Sequence, residues 1–223
     1  MAYLPFFHRL FLTMTQSPNP LTACPLPPVI LASSSAARRQ CLTQLGIEFQ
    51  QLSPDIDETP QEGETPAALV ERLARAKALA LADCYPDHLI IGSDQVCALD
   101  QRPVGKPGTL DNARRQLLSC SGRQIRFHTG IAVYDSSQQR LLSGVEPFDV
   151  HFRPLTEAQI EGYLQQERPL ECAGSFKMEG LGITLFQALN GRDPNALLGL
   201  PLIRLCDMLH SLGYDLLRRF NEE

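Results

Sequence analysis

From residue 29 onward, short apolar runs alternate with longer segments in which apolar residues recur every three or four positions. The short runs predict β-strands, and the longer segments predict helices. We predict strands over 29–32, 47–52, 88–91, 96–99, 102–104, 125–134, 141–153 and 183–189. We predict helices over 36–45, 66–84, 109–120, 156–167 and 196–212. This alternation favours an α/β fold over an all-α or an all-β one.

The first 28 residues do not follow this pattern. Their apolar run, residues 3–12, is interrupted by His8 and Arg9 and is followed by a proline-rich stretch. The run is too short to span a bilayer, and a secretory signal would carry its positive charge before the apolar run rather than inside it. We interpret residues 1–28 as a disordered leader, with a translation start at Met14 or later as a hypothesis, and 29–223 as a single domain.

The composition limits the class of protein and its partners. A chain of 223 residues with 43% hydrophobic content can form a sizeable core. The formal net charge of -5 argues against duplex nucleic acid as a stable partner, whereas a nucleotide needs only a local basic pocket. Seven scattered cysteines without a Cys-x-x-Cys pair support neither a disulfide framework nor a zinc site. We therefore expect a cytoplasmic protein with no membrane segment.

A hydroxyl-rich turn follows the first predicted strand. Ser33, Ser34 and Ser35 stand directly before the first predicted helix, and Arg38 and Arg39 lie in its first turn. The free N–H groups and the positive dipole end of a helix attract anions, and guanidinium groups match phosphate oxygens. The turn therefore predicts an anion site. An ordinary serine N-cap with two solvated arginines is the alternative.

The next two features are an acidic loop and a lysine on the apolar face of a helix. The predicted loop 53–65 carries five carboxylates, at Asp55, Asp57, Glu58, Glu62 and Glu64. Such loops are often only solvated, but a metal could also use these oxygens. In the following helix, Lys77 lies on the apolar stripe four residues after Leu73. A lysine in that position either extends its ammonium group to solvent or meets an anion.

Two further charged residues lie near predicted strand ends. Asp94 follows the predicted strand 88–91, and ligands of open α/β sheets usually bind beyond the carboxyl ends of strands. Lys106 follows the predicted hairpin, immediately before a helix. Asp94 is therefore a site candidate, with a turn or helix-cap aspartate as the alternative. For Lys106 the alternative is an ordinary turn residue.

In this order the segments resemble the Maf family of nucleotide pyrophosphatases, over roughly residues 28–213. The matching segments are Leu31-Ala32-Ser33-Ser34-Ser35 with Arg38-Arg39, Asp57-Glu58-Thr59-Pro60, Arg72-Leu73-Ala74 with Lys77-Ala78, Gly92-Ser93-Asp94-Gln95, Gly105-Lys106-Pro107, Ala173-Gly174-Ser175-Phe176 and Gly199-Leu200-Pro201-Leu202. The resemblance implies a Maf/ITPase-like α/β fold with an elongated mixed sheet flanked by helices, and two lobes with a cleft between them. It also implies hydrolysis of a nucleoside triphosphate to a monophosphate and pyrophosphate.

The resemblance assigns roles to individual residues. Asp94 corresponds to the proton acceptor, and Glu58 and Asp94 to the ligands of a divalent cation, Mg²⁺ or Mn²⁺. The residues implied to bind the triphosphate are Ser33, Ser35, Arg38, Lys77 and Lys106. These roles suit the chemistry, because phosphoryl transfer needs an aligned and neutralised polyphosphate more than covalent help from the protein.

Within the family, the chain resembles the branch that hydrolyses 7-methyl-GTP, with specificity positions at Ala37, Gln95 and Glu179. A carboxylate and an amide suit the guanine edge, and Glu179 also favours the positive charge of an N7-methylated base. The branch usually has proline and tryptophan where Ala36 and Ala37 stand, and this chain has no tryptophan.

Two alternatives and one question of assembly stay open. The alternatives are a Maf-type pyrophosphatase for dTTP and UTP and a non-catalytic nucleotide-binding regulator of cell division. Gln95 with Glu179 favours guanine, and the presence of both Asp94 and Glu58 favours a working enzyme. The final apolar helix and the 148–152 strand fit a homodimer interface as well as a core.

Overall fold

The computed structural model describes residues 25–100 and 102–217. Residues 1–24 of the leader predicted over 1–28 lie outside this part of the chain, as does the hypothesis of a start at Met14. The strands are β1 (Val29–Ala32), β2 (Phe49–Leu52), β3 (Leu89–Leu99), β4 (Arg102–Val104), β5 (Gln124–Asp135), β6 (Arg140–Phe152) and β7 (Phe186–Gly191). The helices are α1 (Ala36–Thr43), α2 (Pro66–Leu79), α3 (Leu110–Cys120), α4 (Glu157–Glu167) and α5 (Leu202–Ser211).

All seven strands form one mixed sheet in the order β2-β1-β3-β5-β6-β7, with β4 paired to β3 off this path. Strand β1 runs parallel to both β2 and β3, and the other pairings are antiparallel. Helices cover both faces. This architecture confirms the α/β fold with a mixed, elongated sheet.

The long strand β3 has two different partners on one of its edges. Strand β1 pairs with β3 as far as Gly92, which lies opposite Ala32. The pairing of β3 with β4 begins at Cys97, which lies opposite Val104. Among the described strands, none pairs with residues 93–96 on that edge, although β5 pairs with the other edge throughout. This edge of β3 is therefore open at residues 93–96, between the half of the sheet that contains β1 and the half that contains β4.

Helix α2 packs unusually close to the sheet. A Cβ atom added at Gly92 of β3 would lie 2.1 Å from the Ala74 carbonyl oxygen, and one at Gly130 of β5 would lie 2.1 Å from that of Val70. Only glycine allows this approach, because any side chain would collide with the helix backbone. The close contact fixes the height of α2 above β3 and β5.

Three apolar clusters form the core. One lies under α2, one lies on the opposite face under α1 and α5, and the largest fills the half that contains α3 and α4. Phe148, Val150 and Phe152 alternate with more exposed neighbours on β6, as predicted, and they belong to the largest cluster. The apolar face of α5 is also buried within the chain. No helix in the described ranges is long and apolar enough to cross a bilayer.

Several predicted boundaries are wrong. The strand predicted over 88–91 continues to Leu99, and the helix predicted to reach residue 84 ends at Leu79. The predicted strand 183–189 begins as a 3-10 helix, Leu181–Leu185, before β7. The predicted helix 196–212 is two elements, a 3-10 helix over Pro194–Leu198 and then α5. Gly199 has a φ of 91°, and Pro201 cannot continue a helix, which explains the break.

Candidate active site

The hydroxyl-rich turn after β1 is folded around Arg38. Ser35 is the N-cap of α1, and its hydroxyl accepts a hydrogen bond from the Arg38 N–H at 3.3 Å. The Ser33 hydroxyl accepts from the Ser35 N–H at 3.2 Å and from Arg38 Nη1 at 3.2 Å. The serine N-cap is therefore real, but Arg38 is not a solvated surface residue. Its guanidinium group folds back over the turn.

Arg38 also contacts a distant segment. Its Nε donates to the Gly199 carbonyl at 2.9 Å. Burial lowers the pKa of Arg38 below its usual value, and the carboxylates of Asp94 and Glu58 oppose that effect. Arg39, in contrast, is exposed and lines an open hollow of about 450 Å³ on the outer face of α1, together with Ala36 and Gln40. Only Arg38 of the two faces the acidic residues.

Lys77 joins two of the predicted site carboxylates. Its Nζ lies 2.6 Å from Asp94 Oδ1 and 2.8 Å from Glu58 Oε1, and its side chain is only 9% exposed. The lysine on the apolar stripe of α2 therefore meets anions rather than extending to solvent. This contact brings the acidic loop, α2 and β3 together at one place.

Asp94 was predicted to follow the end of a strand. It lies instead within β3. It stands two residues after Gly92, the last residue of β3 that pairs with β1, so the carboxyl end of β1 still marks the site. Because side chains alternate along a strand, Asp94 faces α2, whereas Gln95 faces the opposite side of the sheet.

Glu58 belongs to the acidic loop, and its side chain is 58% exposed. Burial raises the pKa of Glu58, but the hydrogen bond and charge of Lys77, with weaker contributions from Lys106 and Arg38, bring it below its usual value. Lys106 is itself exposed and lies 3.9 Å from Glu171. Three of the predicted cations therefore act on the same carboxylate.

The acidic loop is held by an ion pair that the sequence did not predict. Arg72 Nε donates to Glu64 Oε1 at 2.6 Å, and its Nη2 donates to Glu64 Oε2 at 2.8 Å and to the Thr59 carbonyl at 3.1 Å. The Asp57 carboxylate accepts from the Thr59 N–H at 2.9 Å. The sequence analysis named Arg72 only as part of a segment that matches the family. The contacts of Arg72 with the loop fix the segment next to Glu58.

The donors present fit a divalent cation of the magnesium type. The described residues contain no group of three or more histidine, cysteine or acidic side chains that could hold a metal by themselves. Glu58 and Asp94 are two oxygen donors brought together by Lys77. Mg²⁺ is usually bound by one or two carboxylates with substrate phosphates and water, so this pair fits Mg²⁺ or Mn²⁺ in a complex with a polyphosphate.

The three predicted specificity positions lie in separate elements. Gln95 Nε2 donates to Thr129 Oγ1 at 3.0 Å and to the Ala196 carbonyl at 2.6 Å. Ala37 is half-buried in the first turn of α1, and Glu179 is exposed. Burial raises the pKa of Cys41 in α1 to about 11, and the Glu179 carboxylate makes a smaller contribution in the same direction. Glu179 makes no hydrogen bond to Gln95 in the described structure.

The short segment around Gly199 supports several site residues, a role that the sequence analysis missed. Ser93 Oγ lies 2.7 Å from the Gly130 and Gly199 carbonyl oxygens, and the Gly199 carbonyl also accepts from Arg38. The signal was present in the resemblance, which includes this glycine, but spacing alone does not reveal a carbonyl that accepts hydrogen bonds from a distant side chain.

Comparison with known proteins identifies relatives of the chain. The family model "Maf-like protein" matches residues 28–212. A 7-methyl-GTP pyrophosphatase of Chromohalobacter salexigens is 56% identical over 187 residues, which cover 84% of this chain and 97% of that protein. Among solved structures, a HAM1 protein from Coxiella burnetii matches 82% of this chain and 98% of its own, with 16% identity and a TM-score of 0.47. A dITP/XTP pyrophosphatase from Mycobacterium abscessus matches 83% of this chain and 95% of its own, with 14% identity and a TM-score of 0.41.

Proposed function

The chain belongs to the Maf family, and on that premise we propose that it is a pyrophosphatase that hydrolyses 7-methyl-GTP to 7-methyl-GMP and pyrophosphate. The observation that carries the proposal is the contact of Lys77 with both Asp94 and Glu58, beside Arg38. A cationic pocket with two carboxylates suits the hydrolysis of a polyphosphate. The name of the Chromohalobacter salexigens relative supports the choice of base. The cellular purpose would be to clear modified nucleotides.

Asp94 is the proton acceptor in this mechanism. A water molecule attacks the α-phosphorus, and Asp94 takes a proton from it as the new P–O bond forms. The bond between the α-phosphorus and the bridging oxygen breaks, and pyrophosphate leaves with that electron pair. Lys77, which contacts Asp94 at 2.6 Å, orients the carboxylate.

The triphosphate lies against the cationic groups of both halves. Arg38 and the N-terminal turn of α1 donate hydrogen bonds to phosphate oxygens, and the Ser33 and Ser35 hydroxyls lie in that turn. Lys77 and Lys106 neutralise the remaining charge. The Ser33 hydroxyl, which now accepts a hydrogen bond from Arg38, becomes a donor when a phosphate takes over the guanidinium group.

Glu58 and Asp94 are the residues that would hold a divalent cation. When bound, the metal neutralises phosphate charge and polarises the phosphoryl group. Lys77 provides the positive charge between the two carboxylates in the structure described here. Its flexible side chain can then move toward the phosphates.

The base is recognised by Ala37, Gln95 and Glu179. Glu179 accepts from the N1–H and N2–H groups of guanine and favours the positive charge of the N7-methylated ring. Ala37 leaves space in the first turn of α1, where the branch usually has tryptophan, so the aromatic contribution of about 0.5–2 kcal/mol to binding a cationic ring is absent at that position.

The proposal is tested by parallel turnover assays with 7-methyl-GTP, GTP, dTTP, UTP and CTP, with release of pyrophosphate as the readout. We expect 7-methyl-GTP to give the highest kcat/KM. Equal or better hydrolysis of dTTP or UTP would replace the base assignment with the pyrimidine alternative. Nucleotide binding without turnover of any of the five would indicate the regulator.

A homodimer and a cytoplasmic location remain predictions. The residues suggested for a dimer interface on β6 and α5 are used in the core of the chain. A dimer would therefore need another surface. Light scattering coupled to size-exclusion chromatography measures the oligomeric state directly.

A further inference from the structure

Thr129 is a fully buried polar residue that lies beside Gln95. It belongs to β5 and stands directly opposite Gln95 of β3 in the antiparallel register. Its hydroxyl donates to the Ala196 carbonyl at 2.8 Å and lies 3.0 Å from Gln95 Nε2. Gln95 Nε2 is also 2.6 Å from the same Ala196 carbonyl. The three groups form a closed triangle of hydrogen bonds.

The protons in this triangle can be arranged in only one way. A carbonyl oxygen can only accept, so the Ala196 carbonyl takes the single hydroxyl proton of Thr129 and one amide proton of Gln95. The Thr129 oxygen, having given its proton away, must accept the second amide proton. The opposite amide orientation would place Gln95 Oε1 2.6 Å from the Ala196 carbonyl oxygen, which can only accept. The hydrogen-bond partners of the amide therefore determine its orientation.

The Ala196 carbonyl is itself firmly placed. Asp193, which is 1% exposed, accepts from the Asn195 N–H at 2.9 Å and from the Ile203 N–H at 2.8 Å. These bonds tie the 3-10 helix that contains Ala196 to the start of α5. The acceptor that orients Gln95 is thus fixed from both ends of its segment.

We propose that Thr129 is a positioning residue that determines base specificity, because it holds Gln95 so that this side chain can only accept hydrogen bonds. The inference rests on the proposed function, in which Gln95 meets the base. Both amide protons are used inside the protein, and Oε1 accepts no hydrogen bond from the described residues. An amide side chain can in general donate or accept, but Gln95 can only accept a hydrogen bond from a ligand.

This restriction selects a class of base. An ionised Glu179 is also only an acceptor. Gln95 and Glu179 together therefore favour a base edge with adjacent hydrogen-bond donors. Guanine and 7-methylguanine offer N1–H and N2–H side by side. Uracil and thymine have one N–H between two carbonyl oxygens, and cytosine and adenine have a ring-nitrogen acceptor beside the amino group. An acceptor facing an acceptor leaves buried polar groups unpaired, which is costly.

The test compares Thr129→Val with Thr129→Ser by the ratio of kcat/KM for 7-methyl-GTP to kcat/KM for UTP. Valine keeps the shape and removes the acceptor of the second amide proton, which leaves Gln95 free to donate to a base carbonyl, so we expect the ratio to fall about tenfold or more. Serine keeps the hydroxyl, and its ratio should stay within about threefold of wild type. A purely structural role would change both substrates equally and leave the ratio unchanged.

A double-mutant cycle and a second variant make the outcome decisive. If Thr129 acts through Gln95, then adding Thr129→Val to Gln95→Leu should change the ratio no further. Thr129→Cys, which also fills the site but bonds weakly, replaces valine if that variant fails to fold. An unchanged ratio in the folded variant overturns the inference. If wild type prefers a pyrimidine, the base assignment fails, but a ratio still shifted by Thr129→Val would support the positioning role.

Discussion

The Lys77 ammonium group contacts the Asp94 carboxylate at 2.6 Å, across the contact between α2 and β3. Both side chains are largely buried, with exposed fractions of 9% and 14%. The same ammonium group is 2.8 Å from Glu58, so one cation serves two carboxylates from different segments. The predictions below follow from this contact and from the groups that surround it.

Replacement of Asp94 by asparagine should separate binding from turnover. The amide keeps the size of the side chain but cannot take a proton from water, so we expect turnover to fall about a hundredfold or more. Nucleotide affinity should stay within a few-fold, as measured by calorimetry with a non-hydrolysable analogue. Asp83→Asn, on an exposed residue after α2, is the matched control. Undiminished turnover in the Asp94 variant would remove this residue from the mechanism.

Replacement of Lys77 by methionine should increase the affinity of the free protein for Mn²⁺. In wild type the ammonium group lies between the two carboxylates that would hold the metal, and charges a few ångströms apart repel by about 1 kcal/mol or more. We therefore expect Mn²⁺, titrated without nucleotide, to bind about tenfold more tightly to the variant. Arg75→Gln removes a charge from an exposed position of the same helix and should leave Mn²⁺ affinity unchanged. Tight Mn²⁺ binding to wild type without nucleotide would contradict the prediction.

The ion pair of Glu64 with Arg72 should give a defined pH dependence of stability. The hydrogen bond from Arg72 lowers the pKa of Glu64 from 4.5 to about 2. A lowered carboxyl pKa stabilises the fold fully above the unfolded value, and the effect is lost as the pH falls through the folded value. The difference in free energy of unfolding between wild type and Glu64→Gln should therefore be constant above about pH 5, decrease as the pH falls, and vanish only below about pH 2.

Urea denaturation at a series of pH values measures this difference. Glu48→Gln, on an exposed residue with no ion pair to the described residues, is the control and should give a difference that is small at every pH. A difference for Glu64→Gln that grows as the pH falls would have the wrong sign for this ion pair.

Replacement of Gly199 by alanine should damage both stability and catalysis. The backbone of Gly199 has a φ of 91°, and an added Cβ would lie 2.9 Å from Arg38 Nε. Gly213 has a similar φ of 96° with nothing within 4 Å of an added Cβ, so Gly213→Ala is a control for backbone strain alone. Both variants should lose about 1–2 kcal/mol of stability. Only Gly199→Ala should lower kcat/KM, by about tenfold or more, because it displaces Arg38. Equal activity in the two variants would show that Arg38 tolerates the shift.

Part of the structure could be predicted from the sequence because it depends on local pattern. The periodicity of α2 placed Lys77 on a buried stripe, and its burial against carboxylates confirms the prediction. The helix predicted over 156–167 was also confirmed, as α4. Such features depend on residues close in the chain, so spacing is sufficient to find them.

The features that the sequence did not predict depend on distant contacts. The predicted end of β3 was wrong because the polar residues 93–95 look like a loop, whereas β5 pairs with them from 34 to 38 positions away along the chain. Arg72 and Thr129 carried no local signal of their contacts with Glu64 and Gln95. The family resemblance supplied the site residues, but not the groups that hold them in place.

The three longest strands, β3, β5 and β6, have 11, 12 and 13 residues and run without interruption through both halves of the sheet. A rigid-body closure of the halves would have to bend all three strands and break their shared hydrogen bonds. We therefore expect a nucleotide to enter a groove whose width is set during folding. The conformational entropy of bringing the walls together is then lost before the ligand arrives, which leaves more of the contact energy for affinity.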